Sequence, residues 1–407
     1  MKRVKKEVKL RHYVLTRIIA PFVRFFIKRS YKLKMKHYKA LKKKGPFVIL
    51  GNHTINIDPI IMGLHFPFHV YFIATEQVFN LGFLSSLLKY IVNPIKKSKS
   101  VSDMETIRKT KRIVEQGGSI GIFPEGNTSY SGQTGIIQPA TVKLIKLLKI
   151  PVIILNMKGL YLSYPRWSIY RKKGNSHSFI KKIITPEMYL NWSDEYLYEV
   201  LKSELHVNAF EDQAESQVMY RGKKIAHGLE KLIFMDLKTN KPFVTYTKDN
   251  QLLSKDSDFK LTYLPNGRVT DQDGNEMTLI EMEKRVKIAY FNYYKQTVGD
   301  KLFEEDVKLN ESLSNRKIKL GTYKLTLYKT HLLLEKEHKS FVLSYDEITN
   351  IVMQGKYQII VYAKDTTYIL KLDRYSSIYK YVLTFQYYQY IQLGGLSIDD
   401  NYINFGI

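Results

Sequence analysis

The sequence predicts an α/β domain, a mainly parallel sheet flanked by helices, followed by a mostly β C-terminal region. Three observations carry this. Up to about residue 205, short apolar runs that end in Gly, Asn or Pro alternate with helix-length amphipathic segments, the pattern of successive βα units. From Ile318 to Leu372, short alternating runs follow one another at the spacing of antiparallel hairpins. A chain of 407 residues also exceeds one ordinary core, so two or three domains are expected.

Composition narrows the chemistry. There is no Cys, which excludes disulfides, thiolate nucleophiles and thiolate-bound zinc and fits a cytosolic location. The net charge of +26 is uneven: residues 1–44 hold 17 Lys or Arg against one Glu, and so carry +16 of it. Such a block implies an anionic partner, either nucleic acid or the anionic inner leaflet of a membrane. A solvated basic tail is the plainer alternative.

Residues 1–12 are basic and are expected to fray or lie on a surface. Val14 to Ile27 is apolar, but Arg17 and Arg24 interrupt it, and a spanning helix needs about 20 apolar residues with few charges. No small-residue cleavage site follows, so it does not read as a signal peptide. Its aliphatic and aromatic side chains beside cations suit a helix lying in a membrane interface, with Pro21 kinking it or starting a second piece. A helix packed on a domain core is the competing reading. Lys32 to Lys44 adds a polybasic stretch that favours anionic lipid.

The α/β elements then follow in order. Phe47 to Leu50 is a buried strand, and His69 to Ala74 is a second. Ser102 to Glu105 forms a capping box that opens a helix to about Gln116, where Gly117 and Gly118 stop it. Ser119 to Phe123 is a strand, Pro139 to Lys149 a helix and Pro151 to Asn156 the next strand. Later, Thr278 to Glu281 caps a helix reaching about Gln296. Six short strands between Lys324 and Leu372 are closed by an aromatic-rich helix over about Ser376 to Ile391. The expected segments are 1–44, a basic membrane-binding piece; 45–205, the α/β domain; 206–300, linker helices and a small β segment; and 315–395, the closing β module.

Two loops leave strand ends with polar residues. After the first strand come Gly51, Asn52 and His53, with Asp58 five residues beyond His53. After Ser119 to Phe123 come Pro124, Glu125, Gly126, Asn127 and Thr128. Loops at the carboxyl ends of strands in one open α/β sheet can converge on one cleft. A single His after a strand is more often a packed structural residue than a base, so the case rests on the two loops together. In that cleft His53 can act as general base, with Asp58 fixing its tautomer and stabilising the imidazolium. The arrangement has no Ser or Cys nucleophile in the motif, which points to a hydroxyl on the substrate as the group that His53 activates.

The pair Asn52-His-Thr-Ile-Asn-Ile-Asp58 and Phe123-Pro-Glu-Gly126 resembles the NHx4D and FPEG blocks of the glycerolipid acyltransferase family, of the lysophosphatidic acid acyltransferase type. Each block alone is weak; both together, in order and on strand ends, are specific. Lys149 to Leu155 resembles the family's later apolar strand, and Tyr164-Pro-Arg-Trp167 also fits. The resemblance covers roughly residues 35 to 205. It implies an acyl-CoA or acyl-carrier-protein donor, a lysophospholipid or other lipid alcohol as acceptor, no cofactor beyond the donor and no metal. It implies His53 and Asp58 as the catalytic pair. Asn52, Lys97, Phe123, Glu125, Gly126 and Asn127 are the implied substrate-binding set, with Glu125 and Gly126 at the acceptor.

Two departures bear on the acceptor. The family usually has Arg in a block between the two motifs and often again two residues after the FPEG glycine. Here Lys97 of Asn93-Pro-Ile-Lys-Lys97 and Thr128 stand there instead. Lys is a point charge where Arg offers a bidentate fork, so a phosphate-free acceptor stays open; Lys96, Lys97 and Lys99 also read as a solvated basic loop. Residues 230 to 270 are weakly similar to a small zinc ribbon of some relatives, but Met235, Lys238, Ser254 and Ser257 occupy the ligand positions, so no zinc is expected. The last strands and helix resemble a pleckstrin-homology-like or GRAM-like module, with Tyr379, Tyr381, Phe385, Tyr387, Tyr388 and Tyr390 mostly packing on it.

Two other classes compete with a peripheral enzyme on the cytoplasmic face of the cell membrane. One is a non-catalytic lipid-surface protein on the same scaffold, favoured by the missing arginines and opposed by His53, Asp58 and Glu125. The other is nucleic-acid binding, which rests on charge alone and has no reading motif behind it; no nucleic-acid partner is expected.

Overall fold

The computed structural model describes residues 5–75, 83–97, 104–313, 316–364 and 366–395. The chain divides into two compact units. Unit 1 takes residues up to Pro165 together with Lys173–Tyr220, and unit 2 takes Arg166–Lys172 and the residues from Arg221 onward.

Unit 1 is built on a seven-stranded sheet of β1 (Leu33–Met35), β2 (Val48–Gly51), β3 (Val70–Thr75), β4 (Ile95–Lys97), β5 (Ser119–Ile122), β6 (Val152–Lys158) and β7 (Ser176–Ile184), in the order β1-β7-β6-β2-β5-β3-β4. β2 pairs in parallel with β5 and β6, and β3 with β5 and β4; β7 runs antiparallel to β6 and parallel to β1. The helices are α1 (Leu10–Tyr31), α2 (Asp58–Leu64), α3 (Phe83–Ile91), α4 (Met104–Glu115), α5 (Ala140–Leu148), α6 (Leu160–Ser163), α7 (Pro186–Tyr189), α8 (Asp194–Leu205) and α9 (Ala209–Ser216). Every residue of β2 and β5 is buried, as central parallel strands covered on both faces require. Alternation sorts their side chains. Val48 and Leu50 join a core with Ile145 and Leu148 of α5 and Leu201 of α8. Ile49 joins the opposite core with Ile61 and Met62 of α2 and Ile27 and Tyr31 of α1.

The N-terminal region departs from expectation in two ways. First, α1 runs unbroken from Leu10 to Tyr31 with Pro21 inside it. A mid-helix Pro costs about 3 kcal/mol, and packing of Ile27 and Tyr31, with Ala20 and Val23 beside them, offsets it. Second, Glu7 and Val8 do not fray. Their backbone N–H groups both donate to Gln116 Oε1, at 2.8 and 3.0 Å, and Arg112 pairs with the Glu7 carboxylate at 3.2 Å. Arg24 also turns inward, donating to the Leu64 carbonyl at the end of α2 at 2.7 Å. The outward face of α1 exposes Leu10, Val14, Ile18, Phe22, Phe25 and Phe26. The helix expected to stop at Gly117 and Gly118 is α4, and Gly117 at φ +79° supplies its left-handed stop; Ser102 and Asp103 of the capping box, like Lys99, lie outside the described residues.

Unit 2 begins with the hairpin β8 (Met235–Asp236) and β9 (Lys241–Pro242) and the five-stranded sheet β10 (Thr245–Lys248), β11 (Gln251–Ser254), β12 (Lys260–Tyr263), β13 (Val269–Thr270) and β14 (Glu276–Met277), paired in that order. At the four ribbon positions Met235 packs in the core, and the neighbouring Asp236, fully buried, organises the rest. Its Oδ1 accepts the Lys238 and Thr239 backbone N–H at 2.9 and 3.1 Å, and its Oδ2 accepts the Ser257 hydroxyl at 2.6 Å. Burial raises this carboxyl, but the hydrogen bonds from Ser257, Ser254, Thr239 and Lys238 outweigh it and hold Asp236 below the usual range.

α10 (Leu279–Gln296) follows, opened by Thr278 and Glu281 in a complete capping box. Then comes an antiparallel seven-stranded sheet of β15 (Lys301–Leu313), β16 (Arg316–Tyr328), β17 (His331–Lys336), β18 (Lys339–Ser344), β19 (Ile348–Gln354), β20 (Gln358–Ala363) and β21 (Thr367–Lys371), in the order β18-β17-β16-β15-β21-β20-β19. β15 lies ahead of the six C-terminal strands that the sequence suggests. Glu304, Glu305 and Asp306 and an irregularity between Lys301 and Phe303 break its alternation. α11 (Tyr379–Gln392) closes the module, with Tyr379, Tyr381, Phe385 and Tyr387 buried.

Candidate active site

β2 ends at Gly51, where a Cβ would stand 2.6 Å from Met62 Cε and 3.2 Å from Phe123 Cε1. Only a residue without a side chain lets the strand end approach α2 and Phe123 this closely. Asn52 follows and is 1% exposed. Its side-chain amide pairs with the backbone of Met157, Nδ2 donating to the carbonyl at 2.9 Å and Oδ1 accepting the N–H at 2.8 Å. It thus continues the β2–β6 ladder with a side chain and holds the strand end still.

His53 comes next, with its imidazole 17% exposed, and Asp58, the first residue of α2, is fully buried. His53 Nδ1 and Asp58 Oδ2 are 3.0 Å apart. The same Oδ2 accepts the backbone N–H of Thr54 at 2.5 Å and of Ile55 at 2.8 Å. An oxygen that already takes two N–H donors is an acceptor, so Nδ1 carries the hydrogen and Nε2 is left as the basic nitrogen. The carboxylate also sits in the first turn of α2, where the helix dipole favours negative charge.

The loop after β5 grips the same residue through its backbone. Glu125 Oε1 accepts the His53 N–H at 2.6 Å and Oε2 accepts the Gly135 N–H at 2.7 Å. The Ser129 N–H donates to the His53 carbonyl at 2.8 Å. Burial pushes the Glu125 carboxyl up to about 8, against the bonds from Gly135 and His53, and the Asp58 charge adds to the rise. Phe123 stacks on the imidazole with centroids 4.4 Å apart, and Phe72 lies 6.3 Å beyond it. Gly126, at φ +75°, is exposed with no atom within 4 Å of where its Cβ would be. Asn127 beside it is half-buried and Thr128 is buried.

The structure therefore brings Asn52, His53, Asp58, Phe123 and Glu125 together, with Gly126 and Asn127 on the outward part of the second loop. Lys97 stands apart. It ends β4, three places from β2 in the sheet, or about 14 Å across at ~4.8 Å per strand, along the same carboxyl edge. Ser129, Gly135 and Met157 belong to the site through backbone groups and carry no signal of this in the sequence. Among the described residues, no three His, Asp or Glu side chains converge as metal ligands.

The acyltransferase family profile matches residues 32–158, a span holding β2, the His53–Asp58 pair and the loop from Phe123 to Gly126. Residues 32–158 are an acyltransferase-family domain. The 1-acyl-sn-glycerol-3-phosphate acyltransferase of Borreliella burgdorferi is 26% identical over 105 residues, 26% of this chain and 42% of that protein, so the chain spans less than half the length of this curated relative. Among solved structures, the 1-acyl-sn-glycerophosphate acyltransferase PlsC of Thermotoga maritima aligns over 50% of this chain and 93% of its own, with 16% identity and a TM-score of 0.38. The N-terminal PH domain of human ARAP2 aligns over 24% of this chain and 89% of its own, with 12% identity and a TM-score of 0.20. TM-scores this low do not establish a shared overall fold. The acyltransferase-family domain lies within unit 1.

Proposed function

We propose that the acyltransferase-family domain moves a fatty acyl group from acyl-CoA or acyl-carrier protein to the hydroxyl of a lysophospholipid such as 1-acylglycerol-3-phosphate. The observation that carries this is the 3.0 Å contact of His53 Nδ1 with a fully buried Asp58 that two backbone amides also hold. Nε2 takes the proton of the acceptor hydroxyl as its oxygen attacks the thioester carbonyl carbon. The tetrahedral intermediate then expels the thiolate, which takes the proton back from the imidazolium; an ester and a free thiol carrier result. Asp58 stabilises the imidazolium between the two steps. Phe123 gives the imidazole an apolar wall, Gly126 and Asn127 line the approach of the acceptor, and Lys97 meets the acceptor phosphate as a point charge. The name of the curated relative favours a phosphate-bearing acceptor.

The protein works at a lipid surface in this reading. No helix among the described residues is long and apolar enough to cross a membrane. The outward apolar face of α1, flanked by cations, suits the interface of an anionic leaflet, and the C-terminal sheet with its closing helix is read as a pleckstrin-homology-like module.

The test is acyl transfer on anionic vesicles, wild type beside His53→Ala, with both donors and with 1-acylglycerol-3-phosphate and phosphate-free lipid alcohols as acceptors. Loss of a general base lowers the rate about 10²- to 10⁴-fold. Turnover with phosphate-free acceptors alone removes the role given to Lys97. No His53-dependent turnover with any acceptor overturns the proposal.

A further inference from the structure

Three basic groups of unit 1 meet beside α1, and acyl transfer at His53 uses none of them. Arg17 and Arg24 are two turns apart on α1 and so project from one side of it. His37 follows β1 and stands against both. Arg17 Nη1 lies 3.5 Å from His37 Nε2, and Arg24 Nη2 lies 3.3 Å from His37 Nδ1. Arg24 Nη2 and His37 Nδ1 also reach the Leu64 carbonyl at the end of α2, at 2.7 and 3.3 Å. A carbonyl only accepts, so His37 carries its hydrogen on Nδ1, and Nε2 accepts from Arg17. Two guanidinium groups are thus gathered on one neutral imidazole.

The mount is fixed and the charge is unanswered. His65, fully buried, contacts the Lys36 carbonyl through Nδ1 and the Ser178 hydroxyl through Nε2, each at 2.7 Å, and its own carbonyl accepts the Tyr38 N–H at 2.8 Å. The residues on both sides of His37 are therefore tied to the end of α2. Residues 8–57 contain no Asp or Glu. The charges acting on these groups are all positive. Burial first, and then Arg17, pull Arg24 below the usual guanidinium range. Burial, with Arg24, Arg17 and Lys39, outweighs the Leu64 carbonyl and holds His37 below the ordinary imidazole value. Arg24 Nε is buried with no partner among the described residues. Arg17 is exposed, and Arg24 and His37 are half-buried, so the cluster opens on solvent.

Its position on α1 indicates what meets it. At about 100° per residue, the stripe of Arg17 and Arg24 falls between the buried Ile27 and Tyr31 and the exposed Leu10, Val14, Ile18 and Phe25. That boundary is where a helix lying in an interface meets the phosphates of a leaflet. Arg presents paired donors to phosphate oxygens. Asp58 opens α2 and Leu64 ends it, about 9 Å away by helix rise. The cluster lies past that far end, apart from the hydroxyl that His53 activates.

We propose that Arg17, Arg24 and His37 form a site for the phosphate of an anionic phospholipid headgroup, a lipid that is held and not acylated. The inference rests on the reading of α1 as a helix at a lipid surface. The phosphate oxygens accept from both guanidinium groups, and their charge favours protonation of His37 at Nε2, which then donates as well.

The experiment floats the full chain on galactolipid vesicles made anionic with phosphatidylglycerol or, at matched surface charge, with cholesteryl hemisuccinate, which has no phosphate. Arg17→Lys keeps the charge and loses the fork, at an exposed position where substitution rarely affects folding. It is expected to weaken partition to phosphatidylglycerol vesicles about tenfold and to leave partition to hemisuccinate vesicles unchanged. Lys28→Gln removes an exposed cation nearby on α1 and should weaken both about fivefold, the worth of one diffuse charge. Wild-type partition to phosphatidylglycerol should strengthen from about pH 8 to about pH 6, as His37 takes up its proton, and His37→Gln should lose that difference. Phe22→Asp separates the two readings. If it weakens flotation and Arg17→Lys does not, the phosphate site alone is overturned; if neither variant changes flotation, the lipid-surface reading of α1 falls with it. Equal losses by Arg17→Lys on both vesicles overturn the choice of phosphate. Calorimetry with inorganic phosphate supplies the last arm: binding that Arg17→Lys removes, with flotation unchanged, assigns a soluble ligand and overturns the headgroup.

Discussion

Asp58 Oδ2 lies 3.0 Å from His53 Nδ1 while the same oxygen holds the backbone N–H groups of Thr54 and Ile55. One atom therefore sets both the path of the loop and the tautomer of the imidazole. Asp58→Asn keeps the shape but puts an amide where three donors converge. The donors then meet a neutral amide oxygen in place of a charged one, which weakens each bond by roughly 1 kcal/mol, and the imidazolium loses the charge that stabilises it. The expected outcome is a kcat lowered about 10²- to 10⁴-fold together with a lower Tm, read by steady-state kinetics and thermal melts. A variant that melts lower yet keeps wild-type kcat would make Asp58 purely structural.

Gly51→Ala tests the close approach behind the histidine. The new methyl would stand 2.6 Å from Met62 Cε, the free end of a flexible chain, and 3.2 Å from the Phe123 ring. Met62 can swing away, but Phe123 is stacked on His53 and must take the imidazole with it. We expect a stability loss of about 1–2 kcal/mol from overpacking and a fall in kcat of roughly tenfold from the displaced base. Adding Met62→Ala should restore part of the stability, a non-additive pair in a double-mutant cycle.

The sequence made some of this visible and hid the rest for physical reasons. β2, β5 and β6 are continuous apolar runs because both their faces are covered, and such runs are read without knowing their partners. The His53–Asp58 spacing is local and equally legible. Hidden were the bonds of Glu125 to His53 and Gly135 and of Asn52 to Met157, which join side chains to backbone amides between distant loops; a backbone amide has no letter in the sequence. β15 was hidden by its own charges. Lys5 to Val8 looked like a loose basic tail because the side chains that tie it down, Gln116 and Arg112, lie more than a hundred residues away.

Glu125 gives a pH signature. Its carboxyl is raised from 4.5 to about 8 in the folded protein, chiefly by burial. The native state then holds a proton that the unfolded chain has released. The stability it contributes is full below about 4.5 and is lost as pH rises through about 8. Burial lowers Lys172, Lys231 and Lys356 of unit 2 into an overlapping range, so the contribution is isolated as a difference. Wild type minus Glu125→Gln, followed by denaturant unfolding, should fall steadily between pH 4.5 and 8 and be flat outside it. A difference that is flat throughout would mean that Glu125 stays ionised in the folded state.

Asp236 performs in unit 2 the tying role for which a metal ribbon uses its ion. It draws the Lys238 and Thr239 amides and the Ser257 hydroxyl onto one buried carboxylate. Asp236→Ala strands these donors and is expected to cost about 3 kcal/mol, since each buried unsatisfied group costs about 1–3. EDTA should leave the wild-type Tm unchanged. A Tm that falls on chelation would mean that an ion, and not the carboxylate, joins the two turns.

The two faces of α1 separate folding from lipid binding. Ile27 is 8% exposed and sits in the core under β2, whereas Phe22, Phe25 and Phe26 are 69%, 63% and 64% exposed on the outward face. Ile27→Ala should lower stability by about 2–4 kcal/mol, the range for truncating a buried aliphatic side chain, without changing the outward surface. Phe22→Asp and Phe25→Asp should leave Tm within about half a kcal/mol of wild type, because exposed positions rarely matter to stability. In flotation with anionic vesicles the order reverses. Burying a Phe in an apolar phase is worth about 1.5–3 kcal/mol, so each outward Asp should weaken partition about tenfold or more, and the pair should lower turnover on vesicles more than turnover on a soluble acceptor analogue. Unchanged flotation of the double variant would show that the outward face of α1 does not meet the bilayer, and lipid contact would then fall to the cations alone, which high salt would abolish.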